Sequence, residues 1–464
     1  MTWDHVIKNG TIVTPEISYP ANIYIKDEKI AAITNEILDG DSNEITDASG
    51  LMILPGFIET HAHTRDGKDG PHYKEGFDYA TAAGAVGGYT TIFEMPNCNP
   101  AITDVANLNS FIETVTPKAY IDYCVWGMCL GFENLAEIPA LNQAGVVAFK
   151  IFEGYAIKKE TSQLVYKYDP SMQDVLPPID GSALFQIIRE VAKTGKVLGL
   201  HAENFHLLKL LMDEFEKSAD HSYDAFLKAR PALSELTITQ TVIHLAALFD
   251  MPLHICHVSA KECVDLIMQA KLAGLNLSAE TCPHYLELTN KDFDRLGSKM
   301  KCFPLVREQA DQDRLWEGVS DGTIDFICAD HAPHTIEENN LPLLVAPAGI
   351  SSIEVSASLM LTEMNRGRMT LNDLAALLSE NQAKIFGLYP RKGAIQVGSD
   401  ADLVLVDPNV EFQIDERKLH SRVKSSPYNQ WHLQGKPVQT ILRGKTIAKN
   451  GEIVTEPFGN FIAM

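Results

Sequence analysis

The sequence predicts an α/β protein with a (β/α)8, TIM-like barrel and a small β-sandwich domain formed from both chain termini. Eight short apolar runs alternate with helical segments through the middle of the chain, and this alternation is typical of a parallel sheet. Five of the eight runs lead to a residue that can bind or bridge a metal ion. Functional side chains that repeatedly follow strands are expected at the C-terminal face of such a barrel.

Length and charge limit the classes of function. A chain of 464 residues can bury a large core. Its net charge of −22 argues against binding to nucleic acid or to an anionic membrane surface, because both need basic patches. No apolar run approaches the ~18 residues of a membrane-spanning helix. The absence of a signal peptide and of paired cysteine spacings predicts a cytoplasmic protein with reduced thiols.

Both ends of the chain are predicted to be β-structure around the barrel. Residues 1–54 contain candidate strands at 6–13, 23–25 and 30–33, with a polar turn at 27–29 between the last two. The barrel is assigned to residues 55–386. Residues 387–464 contain a strand at 403–406 and a hairpin of 438–442 and 445–448, joined by Arg443 and Gly444. The simplest architecture is a barrel inserted between two halves of one β-sandwich.

The eight barrel strands are predicted from short apolar runs, and one helix between them can be placed from its caps. The runs cover residues 57–58, 90–95, 120–126, 146–149, 197–200, 253–256, 277–281 and 324–329. Asp180 is a candidate N-cap for a helix whose apolar positions fall at helical spacing up to Val191. Gly195 is the candidate residue that ends it.

Four histidines and one aspartate form a candidate metal site. His61 and His63 are two residues apart, so on an extended strand both imidazoles project to the same side. His201, His257 and Asp330 each follow a later strand. Each residue alone is more often structural, but the repeated placement after strands favours metal binding. This ligand set suits zinc, and manganese, iron or cobalt are also compatible.

Lys150 also follows a predicted strand. A lysine ammonium cannot bind a cation, so from its chemistry alone an ordinary ion pair is the simpler interpretation. A buried neutral amine can instead react with CO₂ to give an anionic carbamate.

The order of these residues resembles the amidohydrolase superfamily, and more narrowly the cyclic amidohydrolases: dihydroorotases, allantoinases, hydantoinases and dihydropyrimidinases. The likeness runs nearly end to end. It is carried by His61-Ala62-His63 with Lys150, His201, His257 and Asp330, and by Pro55-Gly56-Phe57-Ile58, Gly87-Gly88-Tyr89-Thr90-Thr91, His201-Ala202-Glu203-Asn204, Glu280-Thr281-Cys282-Pro283-His284-Tyr285-Leu286 and Gly398-Ser399-Asp400-Ala401-Asp402-Leu403.

The resemblance implies two divalent metal ions bridged by Lys150 after its carboxylation by CO₂. By the same resemblance His61, His63 and Asp330 hold the more buried ion, and His201 and His257 hold the other. A hydroxide between the ions would attack a ring amide carbonyl. Asp330 would be the catalytic residue that carries its proton to the leaving ring nitrogen. The partner is then a small cyclic amide or ureide, and a homodimer or homotetramer is expected.

Three further residues bear on the choice of substrate. Arg65 lies two residues after His63, Asn97 ends the second predicted strand, and His334 lies four residues after Asp330. Together they resemble the set with which dihydroorotases hold the carboxylate of their substrate. This favours the interconversion of dihydroorotate and N-carbamoylaspartate.

The alternative substrates are allantoin, hydantoins or dihydropyrimidines. Asp66-Gly67 follows Arg65 where dihydroorotases usually have Glu-Pro-Gly, and Phe303 stands where many have an asparagine. Ser426-Pro427-Tyr428 and Gly459-Asn460-Phe461 are also more similar to allantoinases and hydantoinases. The flanking β-domain makes a phosphotriesterase-like hydrolase with two metal ions a weaker alternative. A non-catalytic scaffold is disfavoured because every metal-binding position holds a competent residue.

Overall fold

The computed structural model describes residues 2–70, 73–161, 163–165 and 167–464. Five strands precede the barrel: β1 Thr2–Val13, β2 Ser18–Lys26, β3 Lys29–Thr34, β4 Asp41–Asp47 and β5 Met52–Pro55. The strands predicted at 6–13, 23–25 and 30–33 are confirmed. Asp27 and Glu28, between β2 and β3, have φ angles of +50° and +65°, which a tight two-residue hairpin turn requires.

Eleven strands follow in the described part of the central segment: β6 Phe57–Ala62, β7 Tyr89–Glu94, β8 Asp122–Met128, β9 Ala148–Phe152, β10 Ala156–Lys158, β11 Leu164–Val165, β12 Val175–Leu176, β13 Leu198–His201, β14 Leu253–Ile255, β15 Leu277–Thr281 and β16 Phe326–Ile327. β10, β11 and β12 form a small separate sheet. The other eight pair in parallel, in chain order.

The ends of the eight-stranded sheet meet. A parallel bridge joins Ala62, at the end of β6, to His331, just after β16. All residues of these eight strands are buried, as expected for a parallel sheet that is covered on both faces. The predicted (β/α)8 barrel is therefore confirmed.

Seven of the eight predicted barrel strands differ from the observed ones at one or both ends, so that β6 continues through His61 and β13 includes His201. The strand predicted at 120–126 begins at Asp122, and the one predicted at 146–149 runs from Ala148 to Phe152. Lys150 therefore lies within β9 and does not follow it. The apolar run before Lys150 covers a loop as well as the strand, and hydrophobicity alone does not separate the two.

The helices of the described residues alternate with the strands and end before the C-terminal β-region: α1 Phe77–Val86, α2 Val105–Val115, α3 Ile138–Gln143, α4 Gly181–Ala192, α5 Phe205–Lys217, α6 Tyr223–Ala229, α7 Ala232–Ala247, α8 Lys261–Leu272, α9 Pro283–Glu287, α10 Phe293–Leu296, α11 Gln309–Asp321, α12 Ile336–Asn339, α13 Ile353–Asn365, α14 Leu371–Ala375 and α15 Asn381–Ile385. Asp180 caps α4 as predicted, because its side chain accepts from the backbone N–H groups of Ser182 and Ala183. α4 ends at Ala192, three residues before Gly195, whose φ is +70°.

Both chain termini contribute to one nine-stranded sheet. Its last strands are β17 Leu403–Gln413, β18 His432–Leu442, β19 Lys445–Lys449 and β20 Glu452–Ile453. β5 pairs antiparallel with β17, which joins the N-terminal strands to the C-terminal ones. Ile7, Ile23 and Ile53 pack with Leu403 and Ile441 in the core of this sheet. The predicted strands at 403–406, 438–442 and 445–448 are confirmed.

The cysteines are reduced, as their spacing predicts. All eight cysteines are buried and unpaired. Within the described ranges, no helix combines the length and the apolar character needed to cross a membrane.

A buried charge cluster joins the terminal sheet to the barrel. The Nζ of Lys392 lies 2.8 Å from a carboxylate oxygen of Asp122, the first residue of β8, and 2.5 Å from one of Asp402, just before β17. Arg443, in the β18–β19 turn, pairs with the second oxygen of Asp122. Lys392, Asp122 and Asp402 are at most 3% exposed. Removal of the lysine would therefore leave carboxylates buried without compensation.

We predict that Lys392→Met lowers the free energy of unfolding by about 3–5 kcal/mol, the usual result of breaking a buried ion pair from one side. Denaturant unfolding followed by circular dichroism measures the change. Lys217→Met, on the exposed end of α5, is the matched control and should change stability by less than about 0.5 kcal/mol. Equal unfolding midpoints for the two variants would show that the cluster does not hold the sheet to the barrel.

Candidate metal centre

The predicted metal-binding residues lie together at the C-terminal end of the barrel strands. They are His61, His63, Lys150, His201, His257 and Asp330. Each is at most 9% exposed. Adjacent imidazole rings have centroids 4.8 to 5.3 Å apart, from His63 through His61 and His257 to His201. The four rings therefore form one continuous group.

His61, His63 and Asp330 form the first set of candidate ligands. The Nε2 atoms of His61 and His63 lie 3.5 and 3.4 Å from Oδ1 of Asp330. Nδ1 of His61 lies 2.5 Å from Glu280, and Nδ1 of His63 lies 2.7 Å from Oδ1 of Asn97. These acceptors hold a proton on Nδ1 of each ring, so Nε2 is the nitrogen that faces Asp330 and is available to a cation. The candidate ligand atoms of His61, His63 and Asp330 lie close enough together to bind one cation.

His201 and His257 form the second set. Nδ1 of His201 and Nε2 of His257 are 3.0 Å apart. Nε2 of His201 lies 3.0 Å from Glu203 and donates a hydrogen bond to it, so the lone pair of His201 is on Nδ1. Nδ1 of His257 is buried and has no hydrogen-bond partner among the described residues. The two imidazoles face each other, and one of them has a ring nitrogen without a hydrogen-bond partner. This arrangement fits two ligands of one cation better than two histidines that are hydrogen-bonded in a protein core.

Lys150 is fully buried between the two sets. Its Nζ lies 2.7 Å from Sγ of Cys256. Within the described ranges no carboxylate forms an ion pair with it, so the ordinary ion pair considered for this lysine is not found. A buried ammonium without a counter-charge is costly. The environment of Lys150 therefore fits an amine that is converted to an anion when metals are bound.

Two carboxylates give the first set a strong negative charge. Burial raises the pKa of Asp330 and of Glu280, but neighbouring histidines, above all His61, hold both pKa values well below their usual range. Burial lowers the pKa of His61, yet Asp330 and Glu280 together raise it to about 10. The geometry therefore favours a positive charge between the two carboxylates, which a protonated His61 supplies here and a bound divalent cation would supply in its place.

The backbone is strained at three site residues. His257, Asp330 and Arg65 have φ angles of +37°, +43° and +55°. Residues other than glycine rarely adopt this left-handed conformation, and such strain is concentrated at functional sites. At His257 and Asp330 it occurs where the chain leaves a strand, which is where the ligand side chains must turn toward the site.

Asn97 and Arg65 line the cleft above the metal-binding residues, which has a volume of about 60 Å³. The oxygen of Asn97 holds His63, so at least that atom orients a ligand. The backbone at Arg65 is not extended, since its φ is +55°, yet Arg65 and His63 line the same cleft. Its guanidinium donates to the backbone oxygens of Pro333 at 2.7 Å and Ala332 at 3.4 Å.

His334 lies beside Arg65 but does not line the cleft. Its Nε2 is 3.0 Å from the Arg65 guanidinium and 2.9 Å from the oxygen of Ala348. Burial, with Arg65 next in importance, lowers the pKa of His334 to about 3. The ring is therefore neutral at physiological pH and does not add a positive charge for a substrate carboxylate.

Sequence reasoning assigned no role to four residues that hold the candidate ligands in place. Glu280 orients His61, and Glu203, paired with Arg230, orients His201. Cys256 contacts Lys150. Glu203 follows His201 by two residues, a spacing that could have suggested contact. Glu280 belongs to a conspicuous motif, but no local spacing connects it to His61.

Comparisons with known proteins agree with this site. The family model described as the amidohydrolase family matches residues 52–447. An L-hydantoinase from Paenarthrobacter aurescens is 33% identical over 99% of this chain and 98% of its own length. An allantoinase from Streptomyces avermitilis is also 33% identical, with the same coverage of both chains.

Solved structures give the same result. An L-hydantoinase (dihydropyrimidinase) from Arthrobacter aurescens superposes with a TM-score of 0.92 at 31% identity, covering 100% of both chains. A dihydropyrimidinase from Brevibacillus agri has a TM-score of 0.89 at 28% identity, covering 99% of this chain and 98% of its own.

We predict that Glu280→Gln weakens the binding of divalent metal about 10–100-fold while the fold is retained, because losing an outer partner of a ligand histidine has an effect of that size. Competition with a chelator, read by elemental analysis, measures the affinity. Glu133→Gln, on an exposed turn, is the control and should bind like the wild type. An unchanged affinity in Glu280→Gln would show that Glu280 does not hold His61 in place for metal binding.

Proposed function

The chain belongs to the amidohydrolase family and is a metal-dependent hydrolase of cyclic amides, and from this premise we propose that it opens the ring of a hydantoin-class substrate. Allantoin is included, since it is a hydantoin ring that carries a ureido group. The observation that carries the proposal is the convergence of four imidazoles and Asp330 on one cleft. Relatives named L-hydantoinase and allantoinase support the ring class.

Two divalent zinc ions are the proposed cofactors. His61, His63 and Asp330 would hold one ion, His201 and His257 the other, with Lys150 between them. Nitrogen and carboxylate ligands of this kind are typical of zinc. When bound, such ions polarise an amide carbonyl and lower the pKa of water.

Lys150 is proposed to be carboxylated. Its neutral amine nitrogen forms a bond to the carbon of CO₂ and releases one proton, which gives a carbamate with two oxygens. This anion supplies the negative charge that the buried side chain needs beside two cations. The position of Lys150 between the two histidine sets supports the proposal.

Asp330 is the proposed proton carrier. The low pKa of its carboxylate keeps it ionised at neutral pH, so it can take a proton from the attacking water. It then delivers that proton to the ring nitrogen as the carbon–nitrogen bond breaks. Its backbone strain and its contacts with His61 and His63 hold the carboxylate at the floor of the cleft.

Dihydroorotate, which the sequence favoured, is now the second candidate. Arg65 lines the cleft, and this observation still favours a substrate carboxylate. However, its guanidinium already donates to two backbone oxygens, and His334 is neutral and lies outside the cleft. The names of the relatives support the hydantoin class. A dimer or tetramer stays a prediction from the family resemblance.

A turnover panel tests the ring class. We expect the zinc-loaded enzyme, supplied with bicarbonate, to hydrolyse hydantoins or allantoin with a higher kcat/KM than dihydroorotate or dihydrouracil. The appearance of the ureido acid is followed colorimetrically. A preference for dihydroorotate would restore the second candidate, and turnover of none of the four would overturn the proposal.

Lys150→Met tests the bridging role. We expect it to lower activity by more than the roughly 10–100-fold typical of an outer-shell change, and bicarbonate should not restore activity. Intact-protein mass spectrometry under gentle conditions should show one added CO₂ on the wild type and none on the variant. Lys217→Met is again the surface control. Wild-type activity in Lys150→Met would exclude the carbamate.

A further inference from the structure

The backbone at Asp330 depends on its two neighbours in the chain. Its φ angle is +43°, in the left-handed region that residues other than glycine rarely adopt. Such a conformation persists only where the surrounding structure fixes it. Asp330 follows β16 by three residues and lies outside every described strand. The contacts of Ala329 and His331 must therefore supply the constraint.

Glu59, in β6, holds the residue before Asp330. One oxygen of its carboxylate accepts a hydrogen bond from the backbone N–H of Ala329 at 2.7 Å. The other oxygen accepts from the backbone N–H of His61 at 2.9 Å. The side chain of Glu59 is fully buried. One carboxylate thus joins the backbones of two segments that carry candidate ligands of the same ion.

Glu75, which precedes α1, holds the residue after Asp330. Nδ1 of His331 faces the backbone N–H groups of Ser352 and Ile353, at 3.2 and 3.3 Å. Because a backbone N–H can only donate, the proton of the neutral ring is on Nε2. That nitrogen lies 3.2 Å from Oε1 of Glu75. The ring of His331 is therefore held at both of its nitrogens.

The C-terminal part of the chain fixes Glu75 in turn. The hydroxyl of Ser421 donates to Oε1 of Glu75 at 2.6 Å, and Nε of Arg422 donates to the backbone oxygen of Glu75 at 2.8 Å. Oε2 of Glu75 is buried and has no hydrogen-bond partner among the described residues. Packing alone does not account for a buried carboxylate with an unsatisfied oxygen.

We propose that Glu59 and Glu75 are positioning residues for Asp330, because they hold the backbone on its two sides and so direct its carboxylate into the cleft. This inference rests on the proposed function, in which Asp330 carries the proton. The described lining of the metal cleft includes neither glutamate, so both act through Asp330. Proton transfer requires hydrogen-bond distance between donor and acceptor, and a small displacement of Asp330 therefore slows it.

Glu59→Gln is the first test. An amide nitrogen cannot accept a hydrogen bond, so the variant loses the contact with either Ala329 or His61. With zinc and bicarbonate in excess, we expect kcat on the preferred hydantoin to fall about 10–100-fold, while KM stays nearly unchanged. The solvent deuterium isotope effect on kcat should rise, because proton transfer by Asp330 becomes the slow step. Glu133→Gln, on an exposed turn, is the matched control and should behave like the wild type.

Glu75→Ala and Glu75→Gln form a second pair of variants, which also serves if Glu59→Gln does not fold. The alanine variant removes the acceptor of the His331 ring and should lower kcat by a similar factor. Since Oε1 is the oxygen that His331 and Ser421 contact, a glutamine can supply the same acceptor. Glu75→Gln should therefore restore most of the lost kcat, which a general loss of packing would not allow.

The inference is overturned if folded Glu59→Gln and Glu75→Ala turn over at the wild-type rate, if they change KM alone, or if Glu75→Gln is as slow as Glu75→Ala. A wild type inactive on every cyclic ureide would refute the proposed function instead. Metal binding then decides the inference, because Asp330 is also a candidate ligand. Zinc affinity in competition with a chelator should fall about 10–100-fold in Glu59→Gln and stay unchanged in Glu133→Gln, and equal affinities refute the inference.

Discussion

The contact on which the site depends is the backbone pairing that closes the barrel. The N–H of His63 donates to the oxygen of His331 at 2.8 Å, and the N–H of His331 donates to the oxygen of His61 at 3.2 Å. These bonds fix the first strand against the segment after the last one. Asp330, next to His331, is thereby brought to both histidines although it is far from them in sequence. Without closure the two halves of the first ligand set would lie at opposite edges of an open sheet.

Closure by itself does not determine which nitrogen of each imidazole faces the site. That choice is made by hydrogen-bond acceptors: Glu280 for His61, Asn97 for His63 and Glu203 for His201. Each binds the proton on one nitrogen and leaves the lone pair of the other directed inward. The arrangement concentrates carboxylates in the interior, which destabilises the protein unless positive charge is present. A bound cation would therefore offset the cost of burying the groups that prepare the site for it.

The sequence predicted the parts of the fold and site that follow from local periodicity. The strand-forming runs, the Asp180 cap and the placement of the candidate ligands near or after the ends of strands could be predicted, because each is encoded within a few residues. The position of Lys150 within β9 could not be predicted, since an apolar run continues from loop to strand without a break. The backbone conformation of Arg65 could not be predicted either, because a positive φ angle at a residue other than glycine leaves no mark in the local sequence. The roles of Glu280 and Cys256 depend on contacts between strands, which no local spacing reveals.

The choice between an anionic and a neutral substrate depends on the hydrogen bonds that Arg65 would lose on binding a carboxylate. Its guanidinium donates to the carbonyl oxygens of Pro333 and Ala332 in the loop that follows Asp330. If a substrate carboxylate accepted both of these guanidinium hydrogen bonds, the two backbone oxygens would lose their partner. The cost of an unsatisfied buried acceptor is about 1–3 kcal/mol for each group. A neutral ring requires no such exchange, because the arginine can stay on the backbone and support the loop that positions Asp330. Arg65 therefore loses less hydrogen-bonding energy when it stays on these backbone oxygens and stabilises the loop after Asp330 than when it binds a substrate carboxylate.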